Sequence, residues 1–291
     1  MTHSNNQTNN FFILKKLHKA EKTNNFAPMN ELLLPTSYLP PILYMALLIK
    51  QQSATIEACE TFPKQTHRNR CEILTANGIM RLSVPVVRTN GNHTLTKDID
   101  ISYAERWNIQ HIRAIESAYN NAPYFMYLWD DLKAILLERH ERLLDLNKKI
   151  IAYLLAKLSI PCQLHYSEEY YTCQQSADSG QPLDLRDLFS HSKSSISLNQ
   201  PSNTHNINPS TFLPPYYQVW NDRHEFCPNL SIIDLLFNLG PAESRKYLEK
   251  LTPPLQNTDF IRTCIKSASG AVQPNLSCIP SNDMLFVRQD G

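Results

Sequence analysis

The chain has 291 residues, 42% hydrophobic and 19% charged, with 28 basic residues against 27 acidic ones and a formal net charge of +1. That length suits one large domain or two small ones, and the composition excludes a wholly disordered chain. The charge balance removes the electrostatic argument for a dedicated nucleic-acid or anionic-membrane binder. The six glycines are scattered, no two within ten residues. A Rossmann fingerprint, a Walker A loop and a G-x-S-x-G elbow, which all need clustered glycines, are therefore excluded. The seven cysteines are odd in number and form no C-x-x-C, which points to free thiols in a reducing, cytoplasmic compartment. No metal-ligand spacing occurs. The longest apolar run, residues 39–49, is too short to span a bilayer.

Residues 1–28 are rich in Asn, Thr and Lys and read as a disordered leader, with Met29 a candidate start. A single domain is expected over 29–251. A strand is predicted at 31–34, a helix over 42–50 opened by Pro40-Pro41, and a second strand at 54–59. Asn77-Gly78 between strand-like runs at 70–75 and 79–86 predicts a hairpin, and 98–101 adds a further strand. Helices follow at about 104–120, 125–139 and 142–158, the first opened by Ser102-Tyr-Ala-Glu105 at capping-box spacing. A late strand is predicted at 162–166 and a polar surface loop at 190–211. An apolar helix over 228–239 is stopped by Gly240-Pro241, with a short helix near 243–251 after it. The tail from about 252 carries no assignment.

Three constellations carry chemistry. Lys64-Gln65-Thr66-His67-Arg68-Asn69-Arg70 sits between the second strand and the hairpin, downstream of Glu57 and Glu60. Its cations suit a phosphate or carboxylate; the plainer alternative is a solvated loop pairing its own acids. In the first long helix, Trp107, His111 and Ile115 share a face, and Arg113 stands three residues before Glu116. His111 fits a general base, or a packed core histidine. In the last apolar helix, Ser231, Asp234 and Asn238 form one narrow polar sector. That sector lines a site with an anion at the helix N-terminus, or it is a local cap. Cys71 adjoins Arg70 but has no partnered base.

These segments resemble the WbqC-like protein family. The matching stretches are Leu33-Leu-Pro-Thr-Ser-Tyr38-Leu-Pro-Pro41, the Lys64–Arg70 cluster, Leu82-Ser-Val-Pro85-Val, Trp107 with His111, Glu116 to Tyr119, Pro123-Tyr-Phe125, Pro215-Tyr-Tyr-Gln218, and His224 through Gly240. The resemblance covers about 31–250. It implies a transferase of an acyl or aminoacyl group, such as glycine, to sugars of surface-polysaccharide (O-antigen) clusters. Where many members carry an Asp-rich Asp-x-Val-Gln stretch, this chain has Glu57-Ala-Cys-Glu60.

The expected architecture is α/β, a small mixed sheet from the N-terminal third packed by a helical block. The expected catalytic residues are His111, His224 and Asp234. Lys64, Arg68, Asn69, Arg70, Tyr38, Glu116 and Asn238 form the binding set. The expected partner is a small-molecule substrate, phosphorylated or nucleotide-linked; no cofactor or oligomeric state is specified. The alternative function is a non-catalytic anion-binding or assembly protein of a cell-envelope pathway.

Overall fold

The structure is a computed structural model that describes residues 31–172, 182–189 and 213–255. The leader, the 190–211 loop and the tail lie outside the described residues, apart from the first residues past 251. The elements are β1 (Leu32–Pro35), α1 (Ile42–Leu48), β2 (Ser53–Glu57), β3 (Arg70–Thr75), β4 (Gly78–Ser83), β5 (Val86–Val87), β6 (Asp100–Ile101), α2 (Trp107–Tyr119), α3 (Phe125–Leu137), α4 (Leu143–Lys157), β7 (Gln163–Tyr166), β8 (Leu183–Asp184) and α5 (Ile232–Leu255).

Four strands run parallel in the order β7-β2-β1-β8. The register Leu32↔Ala54 to Pro35↔Glu57 aligns the two central strands. Leu33 and Leu34 are fully buried, as expected of a parallel strand covered on both faces. Parallel pairing brings all four carboxyl ends to one edge. The order also reverses at β1: β2 and β7 lie to one side and β8 to the other. Open α/β sheets bind ligands outside the carboxyl ends at such a reversal.

The α/β class and the helical covering are as the sequence implied. The hairpin, however, stands as its own two-stranded sheet. Its outer backbone groups are engaged by other elements: Leu74 N–H donates to Tyr119 Oη at 3.2 Å, and Ser231 N–H donates to the Glu72 carbonyl. The parallel sheet draws its outer strands from mid-chain instead. β8 has only two residues, too few to produce a periodic signal.

The capping box is also corrected. Helix α2 begins at Trp107 with Arg106 as an uncapped N-cap, and Ser102 Oγ accepts only from the Ala104 N–H. Helices α1 and α5 cap each other instead. Ile42 N–H donates to the Leu230 carbonyl, Leu43 N–H to Asn229 Oδ1, and Ile232 N–H to the Pro40 carbonyl. The orphan donors of two helix starts are thus satisfied across about 190 residues of chain. Helix α5 breaks at Gly240 (φ 77°, ψ 168°), and a Cβ there would lie 2.7 Å from the Tyr124 ring. Ile232, Leu235 and Phe237 of α5 join Ile42, Met45 and Leu48 of α1 in the core.

Candidate functional site

At the carboxyl edge, β2 ends on Glu57, which is fully buried. Its carboxylate accepts from Cys59 N–H (2.8 Å), Ser167 Oγ (2.5 Å), Tyr171 N–H (3.0 Å) and Arg186 Nη1 (3.4 Å). Arg186 leaves β8, pairs with Asp184 at 2.6 Å and stacks on Tyr170. Glu57 therefore ties the exits of β2, β7 and β8 together. Three residues past β2, Glu60 takes both Nε (2.7 Å) and Nη2 (2.8 Å) of Arg68, a bidentate pair whose arginine is 1% exposed. Asn147 of α4 donates to Thr36 Oγ1 (3.1 Å), just past β1, and to the Arg68 carbonyl (2.8 Å). Burial there leaves Arg68 Nη1 and Asn147 Oδ1 without partners among the described residues.

Arg70 opens β3 beside this loop. It is half-buried, and its buried Nε has no partner among the described residues. Desolvation and then Arg81 hold its pKa below the usual guanidinium value. The same positive field reaches His67, whose pKa falls to about 4 through burial, Arg68 and Arg81. Arg81 itself is paired with Glu72 at 2.7 Å. Arg70 is cross-strand from Ser83, and the His111 ring hydrogen-bonds to the Ser83 backbone. His111 Nδ1 lies 2.9 Å from Tyr38 Oη. A carbonyl can only accept, so the ring proton faces Ser83 and Nδ1 accepts from Tyr38. Burial lowers the His111 pKa to about 4, leaving the ring neutral at pH 7. Tyr38 is fully buried, its phenol pushed up by desolvation and Cys71. Burial also raises the Cys71 thiol, which holds it in the unreactive form.

The Asp234 stripe has its own set of partners. Asp234 is fully buried, and its oxygens accept from Tyr119 Oη (2.9 Å), Tyr216 Oη (2.5 Å) and Gln218 Nε2 (3.0 Å). Burial raises its pKa and these three donors pull it back. Ser231 Oγ donates to the Leu39 carbonyl, and Asn238 Nδ2 to the Asp234 carbonyl one turn earlier. At the start of α5 the Ser231 and Ile232 N–H groups donate to the Glu72 and Pro40 backbone carbonyls. Eight residues of α2 separate His111 from Tyr119, about 12 Å along the axis. His224 binds the Ala76 carbonyl at 3.0 Å, beyond the far end of β3 from Arg70, about 20 Å along an extended strand. Glu116 joins α2 to α3 by accepting from Trp129 Nε1 (3.0 Å) and Lys133 Nζ (2.8 Å), which lower its pKa. Asn69 donates to the Val84 carbonyl at 2.8 Å and fixes the loop to the end of β4. Lys64 is exposed.

The structure groups Tyr38, His111, Arg68, Asn69 and Arg70 near the exit of β1; Asp234 and Asn238 lie in the first turns of α5, whose start is bonded to Leu39 and Pro40 just past Tyr38, while His224 is engaged at Ala76 and Glu116 on α3. Sequence reasoning passed over Thr36, Asn147 and Arg186, and the roles of Tyr216 and Gln218 as donors to Asp234. Asn147 did carry a signal. It interrupts the apolar stripe Leu143, Leu146, Ile150 and Leu154 of α4, and a buried mid-helix amide needs partners.

The fold is that of an α/β protein whose parallel sheet has a polar carboxyl edge, with buried side-chain atoms there that lack partners among the described residues. The model of the WbqC-like protein family matches residues 36–246, and the chain belongs to that family. It is also similar to "Uncharacterized protein Rv1507c" of Mycobacterium tuberculosis, 28% identical over 228 residues that cover 73% of this chain and 94% of that protein. No solved structure matches the chain. Among the described residues no helix is long and apolar enough to cross a membrane, and no group of three or more His, Cys, Asp or Glu could hold a metal ion.

Proposed function

We propose that this protein transfers an acyl or aminoacyl group, such as glycine, to a sugar or related metabolite of surface-polysaccharide (O-antigen) biosynthesis, and that Arg70 receives the substrate's anionic group. The observation that carries the reading is the Arg70 guanidinium: half-buried, next to Arg81, with a buried Nε that has no partner among the described residues. A buried N–H without a partner is costly unless an acceptor completes it, and an anionic one suits a guanidinium. Exposed Lys64 adds long-range attraction. Tyr38 and His111 stand beside Arg70 through Ser83 and supply the neutral hydrogen-bonding wall of the site. Family membership supports the transfer chemistry.

A second reading, a binding or assembly protein of a cell-envelope pathway without turnover, is favoured by one feature. His111 is engaged on Tyr38 and Ser83, and its pKa of about 4 is low for accepting a proton from an attacking amine or hydroxyl at neutral pH. The test is to incubate the purified chain with nucleotide-linked sugars and a glycyl thioester, and to follow glycylated product by mass spectrometry. Product that disappears in Arg70→Ala supports the transferase. Absence of product, with nucleotide-sugar binding that Arg70→Ala abolishes, supports the binder. Binding indifferent to Arg70→Ala overturns both.

A further inference from the structure

Leu39 is fully buried and has a φ of 43°, in the left-handed region that a bulky side chain rarely adopts. Among the described residues four non-glycine positions have positive φ, and three of them stand around the exit of β1. Leu39 lies in the β1–α1 loop, Gln65 lies in the Lys64–Arg70 loop, and Asn229 caps α1 through its side chain. Backbone strain of this kind persists only where the surroundings over-determine it, and it gathers where a geometry must be fixed.

The contacts that hold Leu39 are specific. Tyr38, just before it, is held at two points: its N–H donates to the His67 carbonyl at 2.9 Å, and its Oη to His111 Nδ1 at 2.9 Å. Just after it, the Pro40 carbonyl accepts from Ile232 N–H at 2.8 Å. Between them the Leu39 carbonyl accepts from Ser231 Oγ at 2.9 Å. Ser231 is buried at the start of α5, yet its hydroxyl is spent outside that helix, because Asp234 N–H donates to the Ser231 backbone carbonyl. The Ser231 N–H donates in turn to the Glu72 carbonyl of β3. One serine therefore ties α5 both to the strand that Arg70 opens and to the residue that follows Tyr38.

We propose that Ser231 is a positioning residue: by holding the Leu39 carbonyl it keeps the left-handed turn that aims the Tyr38 hydroxyl at His111 Nδ1, and so fixes the imidazole with its proton on Nε2. The chain of bonds runs from Ser231 through Leu39, Tyr38 and His111 to Ser83, which is cross-strand from Arg70. The inference rests on the reading that Tyr38 and His111 wall the Arg70 anion site. It assigns the start of α5, which touches none of those side chains through its own backbone, a part in setting their geometry.

The experiment records the His111 imidazole nitrogen resonances of the intact, nitrogen-15-labelled chain at neutral pH, with and without inorganic phosphate, assigned by their loss in His111→Gln. Wild type should show one tautomer, protonated on Nε2, whose resonances shift when phosphate is added. Tyr38→Phe removes the donor and gives the signature of the broken contact. Ser231→Ala should move the resonances toward that signature, and Ser231→Thr, which keeps the hydroxyl, should restore them. A serine with a structural role alone would lower the urea midpoint without moving them. Wild-type resonances in Ser231→Ala therefore overturn the positioning role, while the phosphate response of wild type leaves the Arg70 reading standing. Resonances indifferent to phosphate in wild type overturn the Arg70 reading, and this inference with it. If Ser231→Ala unfolds the chain, Ser231→Cys decides, since a thiol is a weaker donor: a partial shift toward the Tyr38→Phe signature supports the proposal and no shift overturns it.

Discussion

Asp234 and Arg68 are both sealed from solvent, at 0% and 1% exposure, yet their surroundings differ in kind. Among the described residues no cation pairs with Asp234. Three neutral donors on α2 and on the segment ahead of α5 occupy its oxygens. Arg68 has a full counter-ion in Glu60, and its Nη1 has no partner among the described residues. In the first arrangement both carboxylate oxygens are occupied, which pins Tyr216 and Gln218 onto the core, although Asn238 Oδ1 one turn later has no partner among the described residues. The second is open at the atom level, although it is equally buried. Burial of a charge by itself therefore does not distinguish the two regions; the kind of partner that meets it does, neutral donors at Asp234 and a carboxylate at Arg68.

The largest effect should come from breaking the ion pair. Glu60→Ala leaves a buried, unpaired guanidinium and should cost roughly 3–5 kcal/mol in urea unfolding. A loss below about 1 kcal/mol would mean that Arg68 escapes to solvent and that the edge is not a buried site.

Acidification should have the next largest effect. His111 has a folded pKa of about 4 against an ordinary value of 6.5. The unfolded chain therefore takes up its proton first as pH falls, and stability present above pH 6.5 is lost between 6.5 and 4. Each pKa unit corresponds to about 1.4 kcal/mol, so the group accounts for roughly 3 kcal/mol. His67 shifts in the same direction, while Asp234, raised by burial, opposes them at the acid end. Denaturation of wild type and His111→Gln at pH 7.5 and 5 separates the contributions: the variant should show a shallower pH dependence, and an unchanged slope would remove His111 from the account.

Asp234→Asn should be smaller, about 1–3 kcal/mol, because the new amide NH2 faces a donor where an oxygen stood. Binding of nucleotide-linked sugar at the sheet edge should not change. A selective loss of binding with stability intact would join the two regions and break the contrast drawn above. Gly240→Ala should cost a similar 1–3 kcal/mol, since its φ/ψ belongs to glycine and Tyr124 must move aside. Lys64→Ala should be mildest, within about 0.5 kcal/mol in stability, and should weaken phosphate binding mainly at low salt.

Much of the fold was legible in the chain. β1, α1, β2, the hairpin and the three long helices fall within a few residues of their predicted positions, because each carries its own period and its own punctuation by Pro, Asn-Gly or Pro123. The two-residue β8 was not, since its pairing with β1 is stabilised by a partner about 150 residues away and leaves no local pattern. The first helix start was misjudged for a related reason. Ser102 and Glu105 have capping spacing, but the chain does not turn helical until Trp107, and spacing alone cannot register that.

The site divided in the same way. The sequence alone determined that Lys64–Arg70 concentrates cations beside a strand end, that α5 is an apolar helix with a polar stripe, and that the break falls at Gly240, because composition, helical period and the conformational freedom of glycine are local properties. Tertiary structure alone decided which of those polar groups are satisfied. Tyr119, Tyr216 and Gln218 converge on the Asp234 carboxylate from distant segments, whereas Glu60 engages only two of the Arg68 nitrogens and, among the described residues, nothing reaches Arg70 Nε. Hydrogen-bond satisfaction depends on angstrom-scale approach between residues far apart in the chain, and residue order does not encode that distance.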